Sequence, residues 1–293
     1  MYQKTLRGPC HIFGKGLHTG QPAQFTLLPA PVDTGIVFRV SSRGNVVEFR
    51  AKAQSVVRTT MNTTLGLGDV EVCTVEHVLA ALTGLGVDNA IIETQGPEIP
   101  AMDGSAQPFV SRIMEVGRKL QPAPKRYLKV LRPIVVEEGD KIAALYPSEV
   151  PAYSFLIEFD NPAIQTQSLK VFLSPETFVA QLAKARTFGF LEDLEALQRN
   201  GLALGGGLEN ALGLDRDGNV LNPGGLRYQD EFVRHKILDA IGDLTLAGHP
   251  LLAEYRGVKS GHQLNIRLVN ELLARTDDWE LVTIFPETQA QAV

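Results

Sequence analysis

Apolar residues change period several times along the chain. Alternation over residues 24–28, 35–40 and 46–50, with turn residues between, predicts three short strands, and 88–94, centred on Ala90-Ile91-Ile92, predicts a fourth. Residues 74–82 carry Val75, Val78, Leu79 and Leu82 at i, i+3, i+4, i+7, which predicts a helix with Thr74 as N-cap and Gly84 as its stop. A second helix is expected over 108–116, entered through the Asp103-Gly104-Ser105 turn. The polar, proline-bearing segment 121–126 reads as a linker. Strands recur at 128–136, 141–146 and 153–159, helices at 175–185, 192–199 and 230–246. A strand at 251–255 and a helix from 263 to 273 complete the second half, and 286–293 has no apolar pattern and reads as a frayed tail.

Each half therefore runs strands, helix, strand, helix. That order predicts an α+β protein of two domains of similar size, 1–124 and 125–286, with 287–293 as tail. The length of 293 residues suits this, and 44% hydrophobic with 21% charged residues excludes a disordered or fibrous chain. A net charge of -5 with no basic stripe argues against nucleic acid as a partner. Two cysteines, Cys10 and Cys73, are too few for a disulfide framework and lack the C-x-x-C spacing of structural zinc, so a reducing, cytoplasmic setting is expected. No apolar run reads as a signal peptide or approaches the roughly 18–20 residues of a membrane span, so a soluble protein is expected.

The histidines carry the candidate chemistry. Glu76 and His77 lie off the apolar stripe of the first helix, where they either are solvated or face a cleft. His235 and Asp239, at i, i+4, share one face of the 230–246 helix, and Asp243 continues it. That pair is a solvated ion pair or two ligands of one metal ion, and the helix alone does not decide. A catalytic zinc takes three protein ligands and keeps one position open. His77, His235 and Asp239 fill that set once, with Glu76 beside it as a base. Cys73 falls a turn before His77 and reads as a small buried side chain. His262 sits in the small-residue loop Lys259-Ser260-Gly261-His262, which ordinary helix capping by Ser260 also explains. His18, in Gly16-Leu17-His18-Thr19-Gly20, has a weaker claim, and Gly205-Gly206-Gly207 lacks the spacing of a phosphate loop.

Several segments, in order, match one family: Gly16-Leu17-His18-Thr19-Gly20, Thr74-Val75-Glu76-His77, Met102-Asp103-Gly104-Ser105-Ala106, Ala185-Arg186-Thr187-Phe188-Gly189-Phe190, the long helix from Asp230 to Leu244 and Lys259-Ser260-Gly261-His262. The chain resembles the UDP-3-O-acyl-N-acetylglucosamine deacetylases, zinc enzymes of lipid A biosynthesis. The resemblance runs from the first residues to about Phe285.

The resemblance implies two similar layered α/β domains, each with a small insert, and an active site at their interface. It implies one Zn2+ per chain on His77, His235 and Asp239, with Glu76 as general base. His262 becomes the acid or electrostatic partner, oriented by Asp243. Thr187 is expected to bond the developing oxyanion, Phe188 to pack on the sugar, and Lys236 to meet the diphosphate. The insert at 191–219 is expected to form an apolar passage for the acyl chain, lined by Leu191, Leu194, Leu204, Leu208 and Leu212, although leucines so placed also read as core. Gly205-Gly206-Gly207 and Gly213, where a bulkier residue is expected, depart from the family pattern and leave the acyl-chain preference open. The expected partner is an acylated UDP-sugar, and the expected state a monomer.

Overall fold

The alternating segments of the first half pair much as their periodicity predicts. In the computed structural model, which describes residues 1–42 and 44–284, the chain opens with β1 (Tyr2–Leu6), β2 (Cys10–Lys15), β3 (Pro22–Pro29), β4 (Ile36–Ser42) and β5 (Asn45–Arg50). A small three-stranded sheet follows, built from β6 (Val56–Arg58), β7 (Thr64–Leu67) and β8 (Val70–Val72). Then come α1 (Glu76–Gly84), β9 (Ala90–Thr94), α2 (Gln107–Val116) and β10 (Arg118–Pro124). The main sheet has the order β2-β3-β9-β4-β5, with β9 antiparallel to β3 and parallel to β4. Ile36, Phe38 and Val40 alternate inward along β4, as period 2 requires.

The second half repeats this order around a larger sheet. Its elements are β11 (Arg126–Val130), β12 (Ile134–Glu138), β13 (Lys141–Pro147), β14 (Ala152–Glu158), β15 (Thr166–Phe172) and a short α3 (Pro175–Thr177) that runs into a π-helical turn, Phe178–Leu182. After it come β16 (Phe188–Phe190), α4 (Leu191–Arg199), β17 (Leu212–Leu214), α5 (Glu231–Leu244), β18 (Leu251–Val258), α6 (His262–Ala274) and β19 (Trp279–Thr283). β18 lies between antiparallel β13 and parallel β14, and its first residues also pair with β11. In both halves a long helix feeds a strand that enters the middle of the sheet. The architecture is α+β, with helices layered on two sheets. The tail read at 287–293 lies outside the described residues.

Four local expectations need correction. Residues 121–126 are not a loop: β10 pairs with β1 through Pro124, and β11 starts at Arg126. Gln121 is buried, and its amide group bonds Asn89 (2.8 Å) and the Ala30 carbonyl (2.9 Å), so its polarity serves a buried network. The strand read at 128–136 is two strands, because Pro133 has no N–H to continue the ladder. The helix read at 175–185 unwinds into the π turn. Thr74 does not cap α1: it sits at φ 60, its hydroxyl bonds Glu98 (3.3 Å), and Val75 precedes the helix. A β-branched residue in the left-handed region is strained, and here the strain lies two residues before Glu76.

The two halves meet where α1 crosses α5. A Cβ on Gly242 would overlap the backbone of Glu76, so glycine alone permits this approach. The crossing buries every residue of α5 but Arg234 and Lys236: its apolar stripe packs on the sheet, while His235, Asp239 and Asp243 turn toward α1. Gly242→Ala is expected to force the helices apart, because the obstacle is backbone and has no rotamer to give. The expected cost is about 3 kcal/mol, the upper end for an overpacked core, read as a lowered urea midpoint.

Candidate active site

The crossing brings together side chains more than 150 residues apart. His77 Nε2 and His235 Nε2 approach the same oxygen, Asp239 Oδ1, at 3.5 and 3.2 Å. The two rings meet edge to face, 5.0 Å between centroids. Nδ1 of His235 bonds the Ala185 carbonyl at 3.0 Å, which fixes that nitrogen as the donor and leaves Nε2 with its lone pair toward Asp239. Asp239 Oδ1 is buried without a hydrogen bond. Two ring nitrogens and an unpartnered carboxylate oxygen therefore converge, with their ligand atoms within 4.8 Å of one another. Among the described residues this is the one such group of three. The donor set of two imidazoles and one carboxylate fits a divalent cation.

Electrostatics favour positive charge at this point. Burial pushes the His235 pKa down to about 3, a neutral ring suited to ligation. Burial also opposes charge on His77, but the neighbouring Asp239 and Glu76 carboxylates outweigh it and raise its pKa. Burial works against the charge of Asp239 as well, yet His235 and Lys236 hold its carboxyl well below the usual range. Lys236 bonds Asp239 Oδ2 at 2.6 Å, occupying the oxygen that does not face the histidines.

Glu76 and His262 flank this group. Glu76 is 4% exposed, so it is no part of a solvated helix face, and its Oε2 accepts the Thr63 amide at 3.0 Å. Burial raises its pKa, which suits a base working near neutrality. His262 opens α6, just after Lys259 at φ 49, and its Nδ1 lies 2.9 Å from Asp243 Oδ2. Burial disfavours charge on this ring, but Asp243, with Glu76 and Asp239 beyond it, pushes the pKa up to about 9. Asp243 also accepts from Thr63 Oγ1 (2.6 Å) and Asn265 Nδ2 (2.8 Å). Thr63 and Asn265 escaped the sequence reading, because nothing local marks them; only the fold carries Thr63 to Asp243.

The remaining candidates line an adjoining cleft of about 640 Å³. Thr187, Phe188 and Lys236 all face it, together with His235, Asp239 and His262. Phe188 stacks edge-on against Phe232 at 5.1 Å and lies 6.5 Å from His235. The segment is held by Arg186, whose guanidinium bonds Glu231 (2.8 Å) in a buried pair at the start of α5, and by the Thr187 amide on Gly104 (2.8 Å). Farther along, Phe190 and Leu197 form the cleft wall. In the insert, Leu191, Leu204 and Leu208 are exposed, Leu194 is half-buried and Leu212 is buried; α4 buries no residue. Cys73 precedes α1, bridging to Glu98 rather than lying on the helix, and burial pushes its thiol up to about 12, so it stays protonated. His18 is buried with its amide on Glu98 (2.8 Å), and Gly205 permits the insert loop to pack on Gly16 and Gly20 beside it. That contact accounts for the glycine at 205.

A family model described as UDP-3-O-acyl N-acetylglycosamine deacetylase matches residues 3–274. The chain is also similar to a curated UDP-3-O-acyl-N-acetylglucosamine deacetylase of Pseudomonas entomophila (strain L48), 52% identical over 282 residues, covering 96% of this chain and 93% of that protein. The motifs, the α+β architecture and both similarities agree, and the chain belongs to the UDP-3-O-acyl-N-acetylglucosamine deacetylase family.

Proposed function

We propose that the chain removes the N-acetyl group from a UDP-3-O-acyl-N-acetylglucosamine, releasing acetate and the free amine, in lipid A biosynthesis, and that it does so with one zinc ion on His77, His235 and Asp239. The observation that carries the reading is the unpartnered Asp239 oxygen facing two imidazole nitrogens, with Asp239 and His235 lining a cleft. Bound zinc supplies a Lewis acid that polarises the acetyl carbonyl and acidifies water. Glu76 takes the proton of the attacking water, which adds to the amide carbon. Thr187 donates to the developing oxyanion. The C–N bond then breaks, and His262, protonated and held by Asp243, donates to the leaving nitrogen or steadies the oxyanion. Phe188 offers its ring to the sugar, Lys236 its ammonium to the diphosphate, and the 191–219 insert an apolar wall to the acyl chain.

The reading treats 1–124 and the chain from 125 onward as two domains that share the site. One chain supplies every residue, so a monomer suffices. No helix among the described residues is long and apolar enough to cross a membrane, and the two free, buried cysteines fit a reducing cytoplasm. Acetate release from the acylated UDP-sugar, with and without stoichiometric zinc, tests the proposal; release that ignores both chelation and zinc would overturn it.

The acid role of His262 predicts a pH dependence. Its raised pKa means that the ring is charged below about 9 and loses its proton above, so activity is expected to fall on the alkaline side. Asp243→Asn removes the carboxylate that favours the charged ring and should move that limb to lower pH with metal content unchanged. His262→Gln should cost rate at every pH and flatten the limb. An unchanged alkaline limb in His262→Gln would assign the limb to another group and end the acid role.

A further inference from the structure

Asn265 stands one turn into α6, 2% exposed, and its side-chain amide is hydrogen-bonded at both ends. Its Nδ2 donates to Asp243 Oδ2 at 2.8 Å, the same oxygen that meets His262 Nδ1 at 2.9 Å. Its Oδ1 accepts from two hydroxyls, Tyr255 and Ser260, each at 2.7 Å. A carboxylate only accepts, so the NH2 end of the amide faces Asp243, and the two hydroxyls, which can give or take, donate to its oxygen. Two such donors, one from the middle strand β18 and one from the loop before α6, leave the Asn265 NH2 no direction but Asp243. The flipped amide would set a carbonyl oxygen against a carboxylate and leave two buried hydroxyls without an acceptor.

We infer that Asn265 is a positioning residue: Tyr255 and Ser260 orient its amide, and the amide fixes the Asp243 carboxylate in the rotamer that pairs with His262. The inference rests on the proposed role of His262 and adds to it the group that holds its partner. Thr63 Oγ1 grips the other oxygen, Oδ1, at 2.6 Å, so the carboxylate is held at both ends from different halves of the chain. The charged and titratable groups around His262 are Asp243 and Asp239 from α5, Glu76 and His77 from α1 and His18 from the loop before β3, with Lys236, Lys259, Glu138 and Lys141 lining the same cleft. Asp243 is the one within hydrogen-bond reach of its Nδ1. A carboxylate free to turn away favours the charged ring less.

The test compares zinc-loaded variants by kcat, KM, zinc content and the NMR titration of the His262 ring. Asn265→Ala is expected to lower kcat about tenfold, the worth of one hydrogen bond to a charged group, with KM and zinc content kept. The His262 titration should move to lower pH. Tyr255→Phe and Ser260→Ala should each lower kcat about twofold, since the remaining hydroxyl still orients the amide. The double variant should fall to the level of Asn265→Ala, well beyond the product of the two single effects. If Asn265→Ala does not fold, this cycle stands alone, because it leaves the amide in place. A His262 titration unmoved in Asn265→Ala, or strictly multiplicative losses in the cycle, would overturn the inference. Failure of the His262 acid role itself would show separately, as an alkaline limb that survives His262→Gln.

Discussion

Replacing His77, His235 or Asp239 by alanine is expected to abolish deacetylation and metal binding together, with less than a tenth of the zinc retained after dialysis. Three ligands are the minimum for a catalytic site, and two neutral imidazoles alone hold zinc weakly. The three variants should differ in what else they break. His77→Ala breaks no hydrogen bond at Nδ1, which has no partner, and removes a ligand together with the ring packed on His235. His235→Ala also frees the Ala185 carbonyl. Asp239→Ala also leaves the half-buried Lys236 ammonium without its carboxylate, a loss that is unrelated to metal. Asp239→Asn keeps the shape and separates the two effects. Because the proposed ligands come from both halves, bound zinc should stabilise their packing: with free zinc at a thousand times Kd the expected gain is about 4 kcal/mol, which chelation should remove and which the ligand variants should lack from the start. Zinc analysis, acetate release and thermal midpoints with and without chelator check this. A variant that is inactive yet fully zinc-loaded would leave the ligand set.

Much of this was legible in the sequence, and the failures share a physical cause. Periodicity found α1, α5, α6 and the inward-facing strands, because those elements bury one face and show it. It missed β1 and β10, largely polar strands that pair with each other across more than 100 residues, and it also missed β2, β15, β19 and the short strands β6–β8, β16 and β17, most of them too short to show an alternation. It left the polar side of α1 undecided. Glu76 and His77 look like a solvated face until α5 covers them, and that covering depends on Gly242, a residue that no helix pattern flags. The i, i+4 spacing did present His235 and Asp239 together, since a helix sets that geometry locally. Thr63, Asn265 and Tyr255 carry no such mark. Their role is in the orientation of a carboxylate that they reach only in the folded chain.

Glu76→Gln is expected to separate metal binding from chemistry. The amide keeps the shape of the carboxylate, and its oxygen can still accept the Thr63 N–H. Zinc should stay bound at full stoichiometry and KM should change little, while kcat falls roughly 10²–10⁴-fold, the range for loss of a general base. Stability gives an independent sign. Burial raises the pKa of Glu76, so the folded chain holds that proton more tightly than the unfolded chain does. The metal-free protein therefore loses stability as pH rises through the unfolded value toward the folded one, when a buried group must ionise. The glutamine variant has no proton there to lose. Its metal-free form should be at least as stable as the parent at neutral pH, and the gap should close as the solution is acidified. Urea unfolding at two pH values measures this, beside kcat and zinc content. Zinc lost in proportion to activity would make Glu76 a ligand, and retained activity would take the proton transfer from it.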